Sequence, residues 1–219
     1  MPSETTAAAR QNNQAVVYVI DDDPSLRFAL NTLLRSAGFD VHVFERTAQF
    51  IAFEKPDVPS CLVLDVRLHG ESGLAFQTEI RAHRLHIPII FLTAHGDIEM
   101  SVRAMKDGAV DFLSKPVKDQ RVIDAVVAAL AKDTSLRSVR RTQDELRARF
   151  ETLTRREREV IVQVANSKMN KEIAAALAVS EITVKAHRAA AMRKMGASSL
   201  AELVRQMEWL GPVTESTYD

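Results

Sequence analysis

The sequence predicts two domains of different class. The first is α/β, a doubly wound sheet of five parallel strands. The second is all-α, four short helices reached through a long helical linker. Three observations carry this. Five short apolar runs alternate with stretches of helical period before residue 131, the pattern of a parallel sheet covered on both faces. After residue 150 the apolar residues recur only at helical spacing. The 219-residue chain has no formal net charge, but its halves differ: thirteen Lys/Arg against seventeen Asp/Glu in residues 1–130 (net −4), sixteen against twelve in 131–219 (net +4). An acidic module joined to one with an anionic partner is the implied arrangement.

The elements follow in order. "VVYVI" (16–20) is the first strand and runs into three aspartates and Pro24. A helix comes next, with Leu26, Leu30, Leu33 and Leu34 on one stripe and Gly38 as its C-terminal stop. "FDVHVF" (39–44), "CLVLD" (61–65), "IPIIFLT" (87–93) and "AVDFL" (109–113) are the other strands. Val102 and Met105 mark a short helix closed by Asp107-Gly108. The last helix of this half starts near Asp119, with the stripe Val122, Ile123, Val126, Val127 and Leu130.

No proline or glycine interrupts residues 132–150, and Leu136, Val139, Gln143, Leu146, Phe150 and Leu153 are spaced 3-4-3-4-3. Two readings stay open: a solvated helical linker, or a short coiled coil that pairs two chains. Beyond it, helices are expected at about 154–165, 169–178, 180–194 and 198–209, with capping boxes "TRRE" from Thr154 and "SLAE" from Ser199. Cys61 is the single cysteine and lies in an apolar run, which excludes an internal disulfide framework. No apolar run approaches the length of a membrane span, and "MPSETTAAARQNNQ" is polar rather than a signal peptide. The expectation is a cytoplasmic protein without membrane contact, disordered at 1–14 and 211–219.

In doubly wound folds, function gathers at the C-terminal ends of the strands. Reading off each strand end gives Asp21 and Asp22, then Asp65, Thr93 and Lys115. Three carboxylates, a hydroxyl and an ammonium therefore converge on one rim. Carboxylates sharing space need a cation, and an all-oxygen set with open positions suits Mg²⁺. A carboxylate beside that ion can attack phosphorus, with Lys115 and Thr93 holding phosphoryl oxygens. Taken singly these residues mean less: Asp23-Pro24-Ser25 also reads as a helix start.

At these residues a resemblance is plain. "VIDDD", "LVLDVRLHGESG", "FLTAHGD" and "GAVDFLSKP" make residues 16–130 similar to the receiver domain of bacterial two-component response regulators, a flavodoxin-like fold. The resemblance implies that Asp65 is the phosphoacceptor. It implies a metal site of Asp21 and Asp22 with Asp65 and the backbone carbonyl of Arg67. Thr93 and Phe112 become the switch pair, and the Lys115–Pro116 bond becomes cis. One departure is Leu68-His69 where the family has Met-Pro, which is expected to loosen that loop and leaves phosphoryl lifetime open, not the chemistry. His69 and His95 flank the site, and neither is expected to be the phosphoacceptor. Asp21-x-Asp23 after a strand is also similar to the haloacid-dehalogenase phosphatases, but "LSKPVKDQ" lacks the later acidic pair that they need.

In the second half, "NKEIAAALAVSEITVKAHRAAAMRKM" reads as helix, tight turn, helix. Ile173, Ala174 and Leu177 face inward on the first, and Ser180 caps the second. Ile182, Val184, His187 and Met192 line that second helix, and Lys185, Arg188, Arg193 and Lys194 give it charge. Small and basic residues on one helix can enter the major groove of DNA. "LTRREREV" and this segment resemble the LuxR/NarL-type helix-turn-helix, and the whole arrangement resembles the FixJ subfamily. By that resemblance Lys185, Ala186 and Ala189 face base edges, and Thr183, His187, Arg188 and Arg193 lie near phosphates.

The expected organisation is a receiver at 15–131, a linker at 132–149 and a DNA-binding domain at 150–210. The expected protein is a regulator rather than an enzyme: a sensor histidine kinase phosphorylates Asp65 with Mg²⁺. The protein then dimerises, binds a two-fold symmetric DNA site and regulates transcription with RNA polymerase, with activation as the expected direction. The alternative is a phosphorylation-independent transcription factor with a vestigial receiver.

Overall fold

The computed structural model describes residues 15–83, 85–94 and 98–211; the ends expected to be disordered, apart from Gly211, and His95 lie outside these. The chain divides into two compact units, the first ending at Arg137 and the second beginning at Ser138. Among the described residues no helix is long and apolar enough to cross a membrane.

The first unit contains β1 (Val16–Ile20), α1 (Pro24–Ser36), β2 (Asp40–Phe44), α2 (Thr47–Ala52), β3 (Ser60–Asp65), α3 (Gly73–Ala82), β4 (Ile89–Thr93), α4 (Ile98–Lys106) and β5 (Asp111–Ser114). It also holds the start of α5 (Asp119–Glu151). All strands are parallel, in the order β2-β1-β3-β4-β5. The continuous apolar runs have a simple cause: β1, β3 and β4 are buried on both faces, while the edge strands β2 and β5 are partly exposed. Val17, Val19, Cys61, Val63, Ile90 and Leu92 pack toward α1 and α5, while Tyr18, Ile20, Leu62, Leu64 and Phe91 pack toward α2, α3 and α4. From β1 the chain crosses first to β2 and then back to β3. That reversal opens a crevice at the C-terminal ends of β1 and β3.

Two stripes differ from their sequence reading. In α5 the core positions are Val122, Ala125, Val126, Ala129 and Leu130, whereas Val127 is exposed. In α4, Val102 and Met105 point outward and the buried residue is Ala104. A helical stripe two residues wide does not say which side the sheet will take.

At the far end of β3 from the crevice, Asp133 of α5 is 1% exposed. Its carboxylate accepts the Ser60 N–H at 2.9 Å and the Arg137 Nε–H at 2.7 Å, and Arg137 also pairs with Asp57. Burial, aided by the Asp133 charge, pushes the Cys61 thiol well above its ordinary pKa, so it stays a neutral small hydrophobe.

The second unit takes the end of α5 with α6 (Arg155–Ala165), α7 (Asn170–Leu177), α8 (Glu181–Met195) and α9 (Leu200–Leu210). Phe150, Leu153, Ile161, Ile173, Val184, Met195 and Leu203 form its core. The heptad seam is therefore divided. Phe150 and Leu153 are spent on this core and Leu146 is buried, while Leu136 and Val139 remain exposed.

The caps are sequence-local. Thr154 and Glu157 exchange hydrogen bonds as a capping box. The second expected box is only half formed. Ser199 accepts from the Glu202 N–H, but the Glu202 carboxylate reaches past it to the backbone and hydroxyl of Ser198. The turn between α7 and α8 passes through Ala178 in the left-handed region (φ 54°, ψ 44°), with Ser180 capping α8.

Two backbone positions generate predictions. An added Cβ at Gly73 would meet the Asp65 carbonyl oxygen at 2.2 Å. Gly73→Ala is therefore expected to cost the first unit about 1–3 kcal/mol in urea unfolding, and an unchanged midpoint would refute the close approach. Ala178 is exposed and left-handed, so Ala178→Gly is expected to stabilise the second unit by up to about 1 kcal/mol in the same measurement.

Candidate functional site

The three aspartates after β1 have separate jobs. Asp23 is the N-cap of α1 and accepts the backbone N–H groups of Ser25 (2.8 Å) and Leu26 (3.4 Å). Asp21 is 1% exposed and turns into the crevice, where it accepts from the Asp23 N–H and from Lys115 Nζ, both at 2.9 Å. Asp22 points to the rim and touches His69. Each of Asp21, Asp22 and Asp65 offers an oxygen within 4.8 Å of the others.

Asp65 closes β3 and is 8% exposed. One oxygen accepts the Arg67 N–H at 3.0 Å; the other accepts Lys115 Nζ at 2.6 Å. Lys115 follows β5 and bridges the two buried carboxylates; the Lys115–Pro116 bond is cis. Burial alone would lower its ammonium pKa. The hydrogen bonds and charges of Asp65 and Asp21 outweigh that and hold it above the ordinary value, so Lys115 is a cation at neutral pH. Asp21 moves up instead. Burial dominates there, and Asp65 adds repulsion, against the opposing pull of Lys115. The cause is physical: one ammonium serves two carboxylates, and burial makes Asp21 hard to keep ionised. An added cation would relieve it, and the all-oxygen set fits Mg²⁺.

Thr93 ends β4 and is buried, and its carbonyl accepts the Lys115 N–H at 2.7 Å. Phe112 on β5 is half-buried, its ring centroid 6.1 Å from that of Phe91. After Asp65 the chain makes a small antiparallel hairpin, Arg67–Leu68 against Glu71–Ser72. The Thr47 hydroxyl at the start of α2 donates to Glu71, and the Gly73 N–H donates to the Val66 carbonyl at 2.9 Å. The hairpin is thus tied down at points that sequence reasoning missed. Thr47 and Glu71 are 24 residues apart, and no local pattern links them. Arg27, whose guanidinium donates to the Asp21 carbonyl at 2.6 Å, was missed for the same reason.

In the second unit, α8 exposes one face: Ile182, Lys185, Ala186, Ala189 and Arg193, at spacings of 3, 1, 3 and 4. Thr183, His187 and Arg188 are half-buried on its flanks. Ile182 is 80% exposed. One residue departs from the sequence reading. Lys194 is not free surface charge, because it donates to Glu157 at 2.7 Å and to the Thr152 carbonyl at 3.2 Å. Arg188 donates to Asn170 at the start of α7 (3.3 Å), which ties the two helices together.

Comparison with known proteins matches both units. Residues 17–127 fit the response regulator receiver domain, and residues 151–207 fit the luxR family of bacterial regulatory proteins. Nodulation protein W of Bradyrhizobium diazoefficiens is 52% identical over 200 residues, covering 91% of this chain and 88% of that protein. The transcriptional regulatory protein FixJ of Azorhizobium caulinodans is 39% identical, covering 92% and 96%. Among solved structures, the response regulator StyR superposes with a TM-score of 0.78 at 45% identity, over 89% of this chain and 98% of StyR. Full-length FixJ from B. japonicum gives 0.53 at 36%, over 91% and 98%. A crevice that gathers three carboxylates, two of them on one lysine, and a capped helix with a bare basic face are accounted for together: the chain belongs to the NarL/FixJ family of two-component response regulators, which join a receiver to a LuxR-type DNA-binding domain.

Proposed function

We propose that Asp65 is the phosphoacceptor, and that phosphorylation converts the protein to a dimer that binds a two-fold symmetric DNA site and activates transcription. The observation that carries this is the Lys115 ammonium, 2.6 Å from Asp65 and 2.9 Å from Asp21, in a pocket where three carboxylates meet. We place the receiver at 15–131, the linker at 132–149 and the DNA-binding domain at 150–210.

The donor is the phosphohistidine of a sensor kinase. An Asp65 carboxylate oxygen attacks phosphorus; the new O–P bond forms as the P–N bond breaks, and the imidazole leaves with the electron pair. Asp21, Asp22, Asp65 and the Arg67 carbonyl would hold Mg²⁺, which supplies charge neutralisation at the attacking and phosphoryl oxygens. Lys115 is already charged and needs only to pass from the carboxylate to a phosphoryl oxygen. Thr93 supplies its hydroxyl to another, and the Phe112 ring turns into the space that Thr93 leaves. Apart from this transfer and its reversal by water, the protein is a regulator rather than an enzyme.

On DNA, Lys185, Ala186 and Ala189 face base edges. Thr183, His187, Arg188 and Arg193 lie toward phosphates. Two such helices, one per subunit, require a two-fold symmetric site. RNA polymerase is the partner at the promoter. The two alanines leave room for thymine methyl groups and for close approach of the backbone, so hydrogen-bonded readout rests mainly on Lys185.

Intact-mass measurement with Mg²⁺ and acetyl phosphate is expected to show one phosphoryl group on the wild-type protein and none on Asp65→Asn. Equal labelling of both would overturn the assignment. Lys185→Ala is expected to weaken operator binding by about 1–3 kcal/mol in fluorescence anisotropy, with a smaller loss on unrelated DNA. Unchanged operator affinity would remove Lys185 from the interface.

A further inference from the structure

We propose that Ile182 is a further specificity-determining residue, which reads the C5-methyl group of a thymine in the major groove. This rests on α8 being the DNA-facing helix.

Successive residues of an α-helix turn by about 100°. Measured from Ile182, the other residues of the bare face (Lys185, Ala186, Ala189 and Arg193) lie within about 60° on either side. Ile182 is therefore on the midline of that face, not at its border. Val184, Ala191 and Met195 are the buried residues of the helix, and they lie about 140–180° away. No small rotation of α8 could return Ile182 to the core of its own domain. At 80% it is also the most exposed large apolar side chain described in the second unit, whereas Val184 and Met195 on the same helix are fully covered. An isoleucine held in water gains free energy from whatever covers it.

Its place along the helix identifies the cover. Ile182 is the second residue of α8, one turn before Lys185, and Ser180 caps the helix just ahead of it. A recognition helix touches base edges mainly with its N-terminal residues. Lys185 and Arg193 put positive charge on the same face, as a polyanionic partner requires. Ile182 has no hydrogen-bonding side-chain atom, so it can tell bases apart only through apolar shape. In the major groove, thymine alone adds a methyl group to its donors and acceptors. Ala186 and Ala189 end at Cβ and leave room for the base edge. Ile182 supplies the branched surface that packs on the methyl.

The test uses the full-length protein treated with acetyl phosphate and Mg²⁺, and a duplex that the wild type enriches from a randomised library. Each thymine of that duplex is replaced in turn by deoxyuridine, which lacks only the C5-methyl. At one thymine per half-site, wild-type affinity is expected to fall about fourfold, the worth of covering one methyl-sized group. In Ile182→Ser the same replacement is expected to change nothing further, and in Ile182→Val to recover part of its effect. If no deoxyuridine separates wild type from Ile182→Ser while Lys185→Ala still weakens binding, the methyl-reading role fails and the DNA-facing helix stands. If Ile182→Ser and Lys185→Ala both bind the duplex as wild type does, or if wild type enriches no sequence, the DNA-facing helix falls and this proposal with it. Because Ile182 is so exposed, its substitution leaves the fold intact and the affinities compare directly.

Discussion

One ammonium group shared by two buried carboxylates is the interaction on which the receiver half depends. Without Lys115, Asp21 and Asp65 would face each other across the crevice with little water to screen them, and burial of even one uncompensated carboxylate is costly. With it, the crevice is neutral enough to form and still short of positive charge. That residual deficit is the functional property. The site is assembled by folding but not electrostatically finished, and its oxygens are arranged to suit an added cation. Parallel topology makes this possible, because β1, β3 and β5 all deliver their last residues to the same edge.

The DNA-binding half solves a different problem with the same economy. A helix that keeps alanines bare on its exposed face cannot also use long side chains there to bind its own domain. Its attachment is displaced to the flanks and the far end. Val184, Ala191 and Met195 are buried, Ser180 caps the start, Arg188 reaches Asn170, and Lys194 is drawn down to Glu157. Two of the four basic residues that give this helix its charge are thus partly structural.

What could be read in advance divides along physical lines. Strands buried on both faces announce themselves as apolar runs, and the residue that ends each run is then a countable position; Asp21, Asp65, Thr93 and Lys115 were legible for that reason. Helix termini were legible wherever a cap is local, as at Thr154 and Ser180. Periodicity defines a stripe but not its occupant. Val127 was assigned to the apolar stripe and faces out, and two of the six residues of a seam that looked available for a second chain, Phe150 and Leu153, fill the core beside it. Contacts between distant segments, such as Thr47 with Glu71 or Ser60 with Asp133, leave no trace in spacing.

The clamp at the start of β3 has a mechanical meaning. That strand is fastened at both ends: at one by the Asp133 carboxylate on the Ser60 amide, reinforced by Arg137, and at the other by Lys115 on Asp65. Its middle is locked between β1 and β4. A strand so held behaves as an anvil. Charge or bulk added to its Asp65 end cannot be absorbed by sliding the strand, so the strain must go to whatever is less firmly held. The half-buried Phe112 and the outward side chains of α4 fit that description. Rigidity in the strand that ends at Asp65 would send any such deformation sideways.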